Sequence, residues 1–141
     1  MASFVKFSTF VEAVAEGGHN LGSDTINVAL FNTAPTAATD TVFAPGGAHP
    51  PPAAANGYAV SEAAHVTSAQ TAGTYKLVLS DVVFTAAGGS IGPFRYAILY
   101  NDTSATDLLI GYYDYGSSVT LLTGETFTTD FSAANGVLTI A

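Results

Sequence analysis

Apolar and polar residues alternate along residues 94–131 with the period of two that a half-buried strand requires. Phe94, Tyr96, Ile98 and Tyr100 are predicted to share one face, and Arg95, Ala97 and Leu99 the other. The polar run 101–107 turns the chain into a second strand over 108–115. Gly116, Ser117 and Ser118 read as a turn before a third strand over 119–122. Thr123-Gly124-Glu125 then leads to a fourth strand over 126–131. In that last strand Phe127, Thr129 and Phe131 point one way, and Thr126, Thr128 and Asp130 the other. Four such strands make a meander, which needs a second sheet over its apolar face.

The same pattern predicts strands over 25–31, 74–80, 81–86 and 137–140, the last after the hairpin-type pair Asn135-Gly136. Residues 59–71 read as an irregular strand with Val60 and Val66 buried. One helix is expected, over 4–16. Phe4, Phe7, Val11 and Val14 form its apolar stripe, Thr9 and Glu12 a capping box, and Gly17-Gly18 its stop. It closes one end of the domain or serves as an arm onto a neighbouring subunit. About eight or nine strands and one helix define an all-β fold, an antiparallel β-sandwich of jelly-roll-like type, as a single domain over 1–141. The expected core is Ile26, Val28, Leu30, Leu77, Leu79, Phe94, Tyr96, Ile98, Ile110, Phe127, Phe131, Leu138 and Ile140.

Residues 32–58 break the pattern. They contain Pro35, Pro45, Pro50, Pro51 and Pro52, five of the six prolines in the chain, and many alanines. Pro50-Pro51-Pro52 favours polyproline II and excludes a ladder strand, while Thr41-Val42-Phe43 suits a short edge pairing. A segment this long and poor in apolar anchors is either a mobile surface loop or an arm ordered by contact, and contact with a neighbouring subunit or the capsid is the expectation taken forward. Val42, Phe43, Pro50, Pro51 and Pro52 are the touching residues.

Charge narrows the partners. Charged residues are 10% of the chain, and eleven acids outnumber Lys6, Lys76 and Arg95 for a net charge of −8. Nucleic acid is not an expected partner, because phosphate binding needs clustered cations. No apolar run approaches the ~20 residues of a membrane span, so no membrane partner is expected. The first eighteen residues lack the charged leader and continuous apolar core of a signal peptide. There is no cysteine, hence no disulfide or thiolate site. A weakly charged, tyrosine-rich surface suits life inside an assembly. A homo-oligomer is expected, a trimer first and a dimer second.

Catalytic and metal chemistry find no foothold. His19, His49 and His65 lack metal-ligand spacing and read as turn or surface residues. Asn101, Asp102 and Asp107 are too few oxygens for calcium and read as turn formers. Asp114, between Tyr113 and Tyr115, invites comparison with a sugar site, yet these tyrosines also suit an interface strand. No nucleophile elbow, phosphate loop or zinc-protease motif occurs. No enzyme activity, catalytic residue, metal or cofactor is therefore expected.

The blocks HNLGSDTINVALFNTAP, SAQTAGTYKLVLSDVVFTAAGGSIGPFRYAILYND and LIGYYDYGSSVTLLTGETFTTDFSAANGVLTI, with the N-terminal helix, resemble a family of small structural proteins of tailed bacteriophages. The likeness covers most of the chain apart from the proline-rich segment. It implies a non-catalytic virion protein, made in the bacterial cytoplasm and carried on the phage head. At this size it resembles capsid decoration, or cement, proteins, which bind the outside of the assembled major capsid protein lattice and stabilise it. On that reading Phe4, Phe7, Tyr112 and Tyr113 join the residues of the proline-rich segment as interface candidates. The alternative is a tail-tip or fibre-associated module that binds carbohydrate or a receptor.

Overall fold

The computed structural model describes residues 2–141. The chain is all-β with one short helix: 44% of it is strand and 6% helix. In chain order the elements are β1 (Ser3–Lys6), α1 (Ser8–Ala15), β2 (Ile26–Phe31), β3 (Ser61–Glu62), β4 (His65–Thr71), β5 (Thr74–Leu79), β6 (Val82–Thr85), β7 (Ile91–Asn101), β8 (Leu108–Leu121), β9 (Thr126–Thr129) and β10 (Leu138–Ile140). They form an antiparallel five-stranded sheet, β1-β8-β7-β2-β3, a three-stranded sheet, β10-β5-β4, and the pair β6-β9.

The five-stranded sheet is apolar on both faces. Tyr96 through Asn101 of β7 are all buried, as are Val28 through Phe31 of β2. Continuous apolar runs such as YAIL and VALF mark strands covered on both sides. One face meets the smaller sheets. Phe94 and Tyr115 pack edge-on against Phe127 of β9, and Tyr113 packs against Phe131. Leu77, Leu79 and Leu138 of the three-stranded sheet join the same buried cluster. The other face carries Phe31, Tyr96, Tyr100 and Tyr112. Phe7 packs on Tyr112, Phe43 stacks on Tyr100, and His49 meets Phe31 edge-on. This second cover is the proline-rich segment 32–58 together with the start of α1.

Several expectations change here. Residues 3–6 are a strand and not the first turn of a helix: β1 pairs with β8, Phe4 opposite Tyr113. The helix then starts at Ser8 without a side-chain cap. Thr9 does not cap it. Its hydroxyl donates to the Asp40 carbonyl at 3.0 Å, and Ser8 N donates to the Ala37 carbonyl at 2.8 Å. The helix start is thus satisfied by the proline-rich segment. Phe7 and Val14 pack on the core as expected, but Phe10 and not Val11 is the buried residue between them. Gly17 and Gly18 do end the helix. Gly17 has φ +79°, and the bonds Gly17 N to Val14 O and Gly18 N to Ala13 O close the turn.

The expected turn at 116–118 is a bulge inside one long strand. β7 pairs with β8 on both sides of it, Tyr96 opposite Asp114 and Phe94 opposite Val119. Residues 115–118 therefore face the single residue Arg95. Gly116 takes φ +82°, and its N–H bonds the Asp114 carboxylate at 2.8 Å. The break separates Phe94, which reaches Phe127, from Tyr96, which reaches Phe31 and Tyr112. Nor is the region a four-strand meander. β9 leaves to pair with β6, and β10 pairs with β5, so Asn135-Gly136 joins no hairpin. Of the expected core, Phe127 is half-buried and Ile140 exposed; Val66, expected inside, is also exposed.

Candidate interaction surfaces

The proline-rich segment is fastened to its own sheet at four places. Val42 bridges Leu108, and Phe43 N donates to the Asp107 carbonyl at 2.9 Å. The Phe43 ring lies 4.4 Å from that of Tyr100, nearly parallel. His49 is 1% exposed: its Nδ1 accepts from Ala44 N–H at 3.2 Å, which leaves Nε2 to donate to Asp40 at 3.1 Å. Asp40 in turn accepts from Thr36 N–H at 2.7 Å. Finally, the Tyr58 hydroxyl bonds the backbone N–H of Leu30 at 3.0 Å, and burial pushes that phenol up to about 12.

These contacts redistribute the interface candidates. Phe43 is 7% exposed and Phe7 fully buried, so neither ring is free to touch a partner. Their apolar surface is already used within the chain. Val42 is half-buried under its bridge to Leu108. Pro50 is exposed, and Pro51 and Pro52 are half-buried beside it. His49 was expected at the surface and is inside. Its burial follows from two aromatic neighbours, Phe31 and Phe43, and a carboxylate that satisfies its second nitrogen. The one sequence signal for it was an aromatic and an acid within ten residues of an otherwise featureless loop.

The second group lies on β1 and β8. Phe4 packs against Tyr113 at 5.4 Å, and its ring fills the space over Gly111 that a Cβ would need. Tyr112 is on the opposite face, against Phe7 and Tyr96. Tyr113 and Tyr115 border a cleft of about 590 Å³ with Phe4, Asp114, Thr128 and Asp130. Burial, with Tyr115 and Asp130 nearby, pushes the Tyr113 phenol up to about 12. Burial and Asp130 do the same to Tyr115. Asp114 is committed to Arg95, which grips both its oxygens at 2.7 and 2.9 Å and holds its carboxyl below the usual carboxylate range. A carboxylate tied in this way is not placed for acid–base work on a sugar.

A third cluster joins the turns at 18–24 and 101–107. Asn101 is 1% exposed, and its amide donates to Asp24 at 2.6 Å and to His19 Nδ1 at 3.1 Å. Its carbonyl accepts from Thr103 and Ser104 N–H. Thus Asn101, and not Asp102 or Asp107, supplies the turn-forming side chain. His19, expected in an open turn, is buried against Phe10, and its Nε2 has no partner among the described residues. Burial lowers its pKa below the ordinary 6.5, partly offset by Asp24. A histidine whose pKa is lowered in the fold binds its proton more readily in the unfolded chain. Its contribution to stability is therefore present above pH 6.5 and is lost as pH falls through that value. Urea midpoints at about pH 8 and about pH 5 are expected to differ more in the parent than in His19→Gln. Equal differences would show that His19 has no part in the acid sensitivity.

Among the described residues no three His, Cys, Asp or Glu side chains are grouped to hold a metal ion, and no helix is long and apolar enough to cross a membrane. Compared with family models, curated proteins and solved structures, the chain matches none.

Proposed function

We propose that this chain is a non-catalytic structural protein of a bacteriophage virion, a decoration protein that binds the outside of the major capsid protein lattice. Copies that bind the assembled lattice better than free subunits stabilise it by linkage. The observation that supports this reading best is the seating of the proline-rich segment. Phe43, His49 and Tyr58 hold it to the sheet, so the ridge of Pro50, Pro51 and Pro52 is presented already ordered. A preordered apolar ridge loses little conformational entropy on docking. The low charge and the resemblance of the strand-turn blocks agree with a role inside an assembly. In the same reading the free chain is a trimer or a dimer, with light scattering as the check.

The test separates particles from soluble protein. In a gradient of phage-producing lysate, antibody to this chain is expected to follow the particles. Pro50, Pro51 and Pro52 replaced together by serine should fold normally yet load poorly and protect particles less from heat. Antibody signal confined to the soluble fractions would overturn the proposal.

A further inference from the structure

We infer that the cleft between β1, β8 and residues 128–137 receives a cationic side chain, arginine or lysine, from the protein that this chain binds. The walls are aromatic, and each ring already packs on a neighbour. Tyr113 is flanked by Phe4 and Phe131, and Tyr115 is met edge-on by Phe127. Neither hydroxyl makes a hydrogen bond among the described residues, and neither is sealed from solvent without a partner. Asp130 borders the same space with its side chain exposed, close enough that its charge acts on both phenols. Asp114 is already neutralised by Arg95, so Asp130 is the uncommitted carboxylate, and no Lys, Arg or His lines the cleft among the described residues.

Two phenol oxygens and a carboxylate make the cleft rich in acceptors, while the neighbouring cations are already committed, Arg95 to Asp114 and Lys76 to the Ala134 carbonyl. A guanidinium or ammonium group brings donors and positive charge to it. A neutral sugar is the poorer match, because it brings no positive charge to meet Asp130. The chain's net charge of −8 draws a basic partner toward this surface. Only the identity of the partner rests on the virion reading; the pocket is testable on the free chain.

The probe is N-acetyl-arginine methylamide, titrated into the purified protein while the tyrosine ring resonances are followed by NMR. Shifts are expected at Tyr113 and Tyr115, and they should weaken as salt is added. Asp130→Asn is expected to weaken binding by ~10-fold, the loss of one charge-assisted contact. Tyr115→Phe should also weaken it. Asp102→Asn removes the same charge from an exposed turn and should leave binding unchanged. Equal losses in Asp102→Asn and Asp130→Asn would mean that only overall charge matters, and would overturn the site. So would a methyl glycoside that shifts these rings where the arginine amide does not. Neither result depends on whether the chain is found on particles.

Discussion

Phe31→Ala is expected to destabilise the protein by ~3–5 kcal/mol, the range for a large aromatic removed from a sealed core. Phe31 is fully buried on the face of the five-stranded sheet that the proline-rich segment covers. Its ring lies 5.5 Å from that of Tyr96 and 5.3 Å from the imidazole of His49. Truncation leaves a cavity that these rings, pinned by other contacts, fill only in part. Phe127→Ala is the informative comparison. From the strand pattern alone it ranks with the core, but it is half-buried, so a smaller loss of ~1–3 kcal/mol is expected. Urea denaturation of the two variants measures the order. A loss below about 1.5 kcal/mol for Phe31→Ala would mean that this face yields readily to solvent or collapse.

Deletion of residues 44–54 is expected to cost at least ~3 kcal/mol, more than a passive surface loop would. The cut removes His49, and with it the ring against Phe31, the stack on Phe43 and the partner of Asp40. It also frees Phe43 and the Asp40 turn, whose backbone holds the first residues of α1. Part of the aromatic face then meets water. A shortened chain with an unchanged thermal midpoint would contradict this account of the segment as a cover. Because the deletion damages the fold, it cannot by itself test docking. The serine replacements at Pro50, Pro51 and Pro52 can, since they leave His49 and Phe43 in place.

The candidate surface was only partly legible. Val42 and Phe43 stood out in the sequence because they are the sizeable apolar residues of a stretch rich in alanine and proline. That same scarcity fits an anchor that docks on a partner and one that docks on its own sheet. The choice depended on whether the sheet had an uncovered face. The runs 28–31 and 96–99 held the clue, since both are apolar at every position. Read as alternation they offer one buried face; read as continuous runs they require two. His49 could not be placed from its neighbours, because its second hydrogen-bond partner, Asp40, and its packing partner, Phe31, meet only when the segment folds back.

Local pattern by itself determined that the chain is all-β with a single short helix. It located β2, β5, β6, β9 and β10 within a residue or two, and it put the helix stop at Gly17-Gly18. These follow from the side-chain period of a strand and from backbone conformations that glycine reaches easily. Only the tertiary structure decided which strands pair. Thr126–Thr129 lies beside Val82–Thr85, and Leu138–Ile140 beside Thr74–Leu79, with other strands between them in the chain. It also decided that Leu108–Leu121 runs unbroken past Gly116, since a glycine at positive φ serves a bulge as well as a turn. Finally, it placed the proline-rich segment over the second face of the five-stranded sheet. Such choices rest on contacts between residues far apart in the chain, where the gain is burial of whole faces, and no short window of sequence records which face meets which.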